Sequence, residues 1–204
     1  MSWFFAFIFT DVKVTPSKWN SFVVPAGLRT GWRWVLTVYW WILSLRLPDD
    51  VKKSYTRIRE VLDTPAKVMA WLWANVTYTA DKTMADEWQP AWRTFERRAG
   101  DCEDWAIFAN YCLRDRVNGF YVCMYTETSG HAELLICDLA RGFKQSEGGA
   151  FIPVEGEWTS VGTFGLNSHD GKLPAIVSDW AGFEDWTMVV LMDGDMEVLE
   201  AWYR

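Results

Sequence analysis

The sequence contains few histidines, no paired-cysteine motif and no long apolar run. Its four cysteines, Cys102, Cys112, Cys123 and Cys137, show no C-x-x-C spacing, so neither a zinc knuckle nor a small disulfide framework is expected. The longest apolar run, residues 34–43 (WVLTVYWWIL), has about half of the ~20 residues that a membrane-spanning helix requires. We therefore expect reduced cysteines and no transmembrane helix.

Basic residues are also scarce. The 20 Lys and Arg residues are outnumbered by 27 Asp and Glu, which gives a formal net charge of -7. Because proteins bind nucleic acid largely through Lys and Arg that neutralise phosphates, nucleic acid is not expected as a partner. The first ten residues, MSWFFAFIFT, lack the basic segment that precedes the apolar stretch of a signal peptide. A cytoplasmic or virion-associated protein without a signal peptide is therefore expected.

Apolar and aromatic residues, by contrast, are plentiful. Of the 204 residues 50% are hydrophobic and 15 are Trp, which is enough for one sizeable core and short of two independent domains. We predict one domain over residues 49–204, preceded by an aromatic-rich segment at residues 1–48. That segment either completes the core or docks on protein subunits or on a membrane or cell-wall surface, since large aromatic residues suit both settings.

Helical patterns precede strand patterns along the chain. Thr64 followed by Pro65 is typical of a helix start, and Asn118-Gly119 predicts the end of a helix that begins near Cys102. Short stretches rich in β-forming residues follow at residues 120–127, 131–138 and 150–155, and two more flank Gly194 as a closing hairpin. Helices first and antiparallel strands afterwards indicate an α+β fold.

One cysteine lies among acidic residues at a predicted helix start, in AGDCEDWA (residues 99–106). With Asp101 as the N-cap, Cys102, Glu103 and Asp104 take the first three helical positions, and Asp101 and Asp104 form an acidic capping box. The helix dipole favours the thiolate, whereas the carboxylates oppose it. Backbone N–H groups that bind the carboxylates, or a cation among them, would relieve this conflict.

The sequence offers two imidazoles, those of His131 and His169. His131 opens a predicted strand directly after a tight turn, where its side chain can reach the helix that precedes the sheet. A cysteine at a helix start and a histidine on a strand form the arrangement that thiol hydrolases need, and the backbone N–H of Cys102 is available for an oxyanion. His169 has a loop-like setting and is expected to play no role.

The run DEWQPAWRTFERRAGDCEDWAIFANYCL (residues 86–113) and the later GHAELLI (residues 130–136) resemble the papain-like transglutaminase-like superfamily. The similarity is greatest to its bacterial transglutaminase-like cysteine peptidases and covers roughly residues 49–158. It implies a papain-like core with Cys102 as nucleophile and His131 as general base. It also implies an acidic residue on the next strand that orients the imidazole.

That acidic residue is where the sequence departs from the family pattern. The family usually places an Asp on the strand after that of the histidine, whereas here the corresponding stretch, AFIPVE, ends in Glu155. Asp138 is a rival, but it lies an odd number of residues from His131 on the same predicted strand and should face the opposite side of the sheet. We therefore predict Glu155 as the third member.

The resemblance further implies a metal. In the periplasmic adhesin-cleaving members, the acidic residues of a D-C-E-D run bind calcium, and this chain carries the same letters as Asp101, Glu103 and Asp104. Clustered carboxylate oxygens suit a hard cation, although acid-rich first turns are also ordinary in helices. Calcium is thus a candidate ligand of these three residues, and no other cofactor is required.

Two hypotheses from different classes follow. The first is a cysteine peptidase, amidase or acyl transferase that acts on a protein or peptide substrate through a thioester on Cys102, with hydrolysis favoured over transfer. The second is a non-catalytic binding or assembly protein, such as a phage virion component, that retains the fold and docks through residues 1–48. A cell-wall peptidase of the other papain-like branch is a weaker alternative, since that branch prefers D-C-S to D-C-E.

Overall fold

The computed structural model describes residues 20–22, 38–80, 88–126, 130–138, 143–145, 151–153, 156–171, 188–194 and 198–203. Of residues 20–22, 138, 143–145, 151–153, 156 and 198–203, it describes the backbone alone. Glu155 lies outside the described residues, as does most of the segment 1–48.

Five helices occur in the described ranges, all before the central strands. They are α1 (38–44), α2 (Asp49–Val61), α3 (Pro65–Asn75), α4 (Ala91–Arg97) and α5 (Cys102–Leu113). Helix α3 begins as predicted, because the Thr64 side chain accepts a hydrogen bond from the Lys67 backbone N–H at 3.3 Å. Among the described residues, no helix is both long enough and apolar enough to cross a bilayer.

Over the residues that the structure describes, seven strands form one antiparallel sheet, namely β1 Asn20–Phe22, β4 Val117–Tyr125, β5 Gly130–Asp138, β8 Gly156–Gly162, β9 Gly165–Gly171, β10 Met188–Met192 and β11 Val198–Tyr203. Their order in the sheet is β1-β11-β10-β4-β5-β8-β9. Two small sheets are made by β2 (Thr77–Tyr78) with β3 (Ala99–Gly100), and by β6 (Phe143–Gln145) with β7 (Phe151–Pro153). The α+β prediction is confirmed, including the closing hairpin of β10 and β11 around Gly194.

Successive side chains of the central strands point to opposite faces of this sheet, and both faces are buried. Ala132, Leu134 and Ile136 of β5 join α5 and the other helices in one apolar core. From neighbouring strands the same face contributes Tyr121, Cys123, Val161, Val190 and Met192. His131 and Glu133 alternate with those β5 residues and are also buried, so they point toward the other face.

The predicted helix end at Asn118-Gly119 is wrong. Helix α5 ends at Leu113, and both residues lie within β4. Gly119 is needed there for close approach rather than for a left-handed turn, because a Cβ on it would lie 2.6 Å from Oδ1 of Asn110 on α5. The glycine lets the helix pack tightly on the strand.

The predicted neighbour of the histidine strand also differs. Strand β7 pairs with β6 in a separate two-stranded sheet, whereas β8 pairs with β5 in the main sheet. The strand within AFIPVE, β7, is therefore not the neighbour of β5 in the main sheet, and β8, which follows it along the chain, takes that place.

Candidate active site

Cys102 is the first residue of α5, with Asp101 at the N-cap. Strand β3, which pairs with β2 in parallel, leads the chain directly into this helix. The cysteine is 7% exposed and belongs to the apolar core, and the helix behind it is buried along nearly its whole length. The packing of α5 against the sheet therefore fixes the position of the thiol.

Opposing influences act on the Cys102 sulfur. Burial and the carboxylate of Glu103, whose Oε2 lies 3.2 Å from Sγ and accepts its hydrogen bond, raise the pKa of the thiol, and Asp101 adds to this. The backbone N–H of Ala132 on β5 donates to the sulfur and lowers the pKa. The raising influences are the stronger, so the resting thiol is protonated.

Gln89 holds the carboxylate of Asp104. Oδ1 accepts from the Gln89 backbone N–H at 3.0 Å, and Oδ2 accepts from the Gln89 side-chain amide. The same carboxylate takes the Asp101 backbone N–H, while the Asp101 side chain makes no capping bond, so half of the predicted capping box forms. Burial and the neighbouring Asp101 raise the pKa of Asp104 to about 8 in spite of these bonds.

His131, at the start of β5, is paired with an acid that the sequence reasoning missed. Its Nε2 lies 3.0 Å from Oε1 of Glu133, two residues along the same strand. Residues two apart share a face of a strand, so the parity rule that argues against Asp138 also selects Glu133. That signal was available in the sequence.

The Glu133 carboxylate sits in a closed environment made by the β8–β9 turn. The side chain is fully buried, and its Oε1 also accepts from the Phe164 backbone N–H at 3.2 Å. The Phe164 ring packs against the His131 ring, with 4.1 Å between centroids. Gly162 leaves the space that the carboxylate fills, because a Cβ there would lie 2.3 Å from Glu133 Oε2.

The thiol and the imidazole lie at the same end of β5. The N–H that reaches the Cys102 sulfur belongs to Ala132, the residue after His131. The side chains of His131 and Ala132, however, point to opposite faces of the sheet, because neighbouring residues of a strand alternate. The register of β8 against β5 starts at Leu134, so the end of β5 where His131 lies is beyond that register. The thiol therefore lies on the helix side of β5 with Ala132, and the imidazole lies on the other side, at the end of the strand that β8 does not pair.

In the part of the chain that the structure describes, neither of the two acids that the sequence predicts for orienting His131, Glu155 and Asp138, is seen at the imidazole. Glu155 lies outside the described residues, so its role stays a prediction. Asp138 ends β5 opposite Val117, far along the strand from His131. Within the described ranges, the acid bonded to His131 is Glu133.

The predicted metal ligands Asp101, Glu103 and Asp104 are all buried at the start of α5. In the described part of the chain, no group of three or more His, Cys, Asp or Glu side chains is arranged to hold a metal ion. Both oxygens of Asp104 accept from Gln89, and Glu103 faces the thiol. The assignment of calcium to Asp101, Glu103 and Asp104 stays a prediction.

No protein-family model matches the sequence. No curated protein matches it at a significant level.

Solved structures give matches of low identity. The EGTA-treated form of Legionella pneumophila LapG is 16% identical over 75% of this chain and 82% of that chain, with a TM-score of 0.43. The calcium-bound form of LapG is 20% identical over 71% and 94%, with a TM-score of 0.34. A candidate cysteine protease from Cytophaga hutchinsonii is 16% identical over 78% of this chain and 58% of that chain, with a TM-score of 0.34.

Proposed function

We propose that the protein is a cysteine hydrolase of the peptidase or amidase type, in which Cys102 is the nucleophile and His131 the general base. One observation carries the proposal. The Cys102 sulfur accepts a hydrogen bond from the backbone of the residue next to His131, and that histidine is itself bonded to a buried carboxylate. A thiol near an imidazole that a third group orients is the constellation of nucleophilic thiol chemistry.

The raised pKa of the thiol determines the first step of the proposed reaction. His131 must take the S–H proton as sulfur bonds to the carbonyl carbon and the carbonyl electrons move to oxygen, since no thiolate is present beforehand. The backbone N–H of Cys102, at the start of α5, is suited to stabilise that oxyanion. When the carbonyl re-forms, the C–N bond breaks and the imidazolium proton leaves with the amine.

Hydrolysis of the thioester completes the proposed cycle. His131 removes a proton from water as its oxygen bonds to the acyl carbon, and collapse of the second intermediate breaks the C–S bond. The proton returns to sulfur, which yields a carboxylic acid and the original thiol. An amine in place of water would give acyl transfer by the same steps, and a protein or peptide supplies the acyl group in either case.

Alkylation by iodoacetamide tests the proposal. We expect the peptide that contains Cys102 to be labelled near neutral pH and His131→Ala to slow this labelling sharply, while His169→Ala, the matched change of the other histidine, leaves it unaffected. Fragment-ion mass spectrometry of the digested protein separates Cys102 from the three other buried cysteines, of which Cys112 shares its tryptic peptide. Labelling at the same rate with and without the His131 imidazole would refute the proposal.

Calcium is not used in the proposed reaction. The resemblance assigns it to Asp101, Glu103 and Asp104, and the LapG structure of 20% identity is a calcium-bound form. In this chain, however, the Asp104 oxygens are engaged by Gln89. If calcium binds here, we propose that it offsets the carboxylate charge around the thiol, and the Gln89 contacts would have to rearrange.

A non-catalytic binding or assembly role is the second candidate, and an exposed apolar surface favours it. Five large hydrophobic residues of α1 and its end are 46–60% exposed, namely Val38, Tyr39, Trp41, Ile42 and Leu45. Exposed apolar clusters of this kind mark interaction surfaces. Under this candidate, protein subunits, as in a phage virion, or a membrane or cell-wall surface would cover the cluster. His131→Ala would then leave the labelling of Cys102 unchanged.

A further inference from the structure

Glu133 is a fully buried acid that the family pattern described above does not use. It lies on the histidine's own strand and not on the neighbouring one, and its Oε1 is 3.0 Å from His131 Nε2. We infer that Glu133 is the positioning residue that orients the His131 imidazole for its work on Cys102. The part of this inference that concerns Cys102 rests on the proposed function, whereas the orientation of the imidazole can be measured separately.

The hydrogen bonds at Oε1 of Glu133 indicate the tautomer of His131. The Phe164 backbone N–H donates to Oε1, which makes that oxygen an acceptor. The oxygens of an ionised carboxylate only accept, so with Glu133 ionised the second group at Oε1, His131 Nε2, supplies the hydrogen. In the neutral ring this leaves the basic lone pair on Nδ1, so Glu133 determines which nitrogen can accept the thiol proton.

The surroundings of Glu133 are shaped to keep its carboxylate in one place. Gly162 provides a space that no other residue type could leave open, since a Cβ there would lie within 2.6 Å of both carboxylate oxygens. Phe164 contributes its backbone N–H to the carboxylate and its ring to the face of the imidazole. A buried acid that is packed, bonded and covered in this way holds the ring in a fixed orientation.

A structural acid would also be buried and bonded, so the test needs a readout that packing alone does not change. The chain has two histidines, and ¹⁵N NMR of the imidazoles reports the tautomer of each, with His169→Gln used for assignment. We expect neutral His131 to be in the Nε2–H form in the unmodified protein. Glu133→Gln keeps an acceptor oxygen and should keep this form, whereas Glu133→Leu has similar bulk without an acceptor and should shift the ring to a mixture of the two tautomers.

The alkylation rate of Cys102 supplies the functional arm. Because general-base catalysis is typically worth about 100-fold or more, we expect Glu133→Leu to slow labelling by about tenfold or more and Glu133→Gln to slow it less. If Glu133→Leu fails to fold, Gly162→Ala displaces the same carboxylate while retaining the acid, and the same shift of tautomer and loss of rate are expected.

The two arms fail in different ways. An unchanged Nε2–H form in Glu133→Leu or in Gly162→Ala overturns the inference about Glu133. If the tautomer responds but His131→Ala does not slow the labelling of Cys102, Glu133 still orients the ring and the proposed hydrolase fails.

Discussion

A methyl group added at Gly162 is the sharpest available perturbation of the His131–Glu133 pair. The new Cβ would lie 2.3 Å from Oε2, 2.4 Å from Cδ and 2.6 Å from Oε1 of Glu133. All three distances are well inside the 3.4 Å at which ordinary contact begins, so rotation of the carboxylate gives no relief. The whole group has to move by roughly 1 Å, which overpacks a buried site. Such a shift breaks the bonds of Oε1 to His131 Nε2 and to the Phe164 backbone N–H.

Two terms determine the expected loss of stability. Overpacking of a buried site costs about 1–3 kcal/mol, and each displaced hydrogen bond adds about 1 kcal/mol. Gly162 is not among the described glycines with positive φ, which are Gly165 and Gly171, so backbone strain adds nothing. Two hydrogen bonds are displaced, so we expect Gly162→Ala to lower the free energy of unfolding by about 3–5 kcal/mol.

Guanidinium denaturation in a double-mutant cycle checks this reasoning. In a Glu133→Ala background the same methyl group enters vacated space, so Gly162→Ala should there cost less than about 1 kcal/mol. Gly165→Ala is the control in the same turn, since its Cβ meets nothing within 4 Å and its cost reflects the φ of 103° alone. Equal costs for Gly162→Ala in both backgrounds would show that the carboxylate does not occupy this space.

Three further predictions concern the start of α5. Glu103→Gln should speed the alkylation of Cys102, by about tenfold for each unit by which the pKa of the thiol falls, because the Glu103 carboxylate raises that pKa. Glu96→Gln, which changes an exposed acid of α4, is the control and should have no effect. An unchanged rate in Glu103→Gln would contradict the role given to the Glu103 carboxylate. Since the pKa of Asp104 rises from 3.8 to about 8 on folding, the folded state keeps a proton that the unfolded chain has lost, and stability should fall as pH rises from about 4 to 8. Denaturation at the two ends of that range should show a smaller fall in Asp104→Asn, while Asp49→Asn, at an exposed acid, should keep the full slope. Calcium added to EGTA-treated protein should not shift the thermal midpoint, because the Asp104 oxygens are already bonded to Gln89; a calcium-dependent rise in the midpoint would show that those contacts rearrange around the ion.

The succession of helices followed by antiparallel strands could be predicted from the sequence because it depends on local patterns. The Thr64-Pro65 signal marks the start of α3, and Asp101 is the N-cap of α5 as its position suggests. The β-rich stretches become β4, β5, β10 and β11, although their ends differ by several residues. Periodicity and capping act within a few residues along the chain, and the sequence shows them directly.

The glycines predicted the structure less well, because glycine serves both at left-handed turns and where two elements approach closely. Gly119 was expected to end a helix and lies instead inside a strand, where it makes room for the Asn110 side chain. Gly162 makes room for Glu133 in the same manner. Close approach between elements distant in sequence leaves no local signature, so neither role could be predicted from neighbouring residues.

The sequence by itself determined the α+β class, the position of Cys102 at a helix start and the position of His131 at a strand start, since each follows from short-range preferences. Tertiary structure decided which groups meet. The carboxylates beside Cys102 raise its pKa, Gln89 holds Asp104, and Glu133 reaches the His131 ring within a space shaped by the β8–β9 turn. Such contacts depend on strand register and on the packing of distant segments, and these are properties of the whole folded chain.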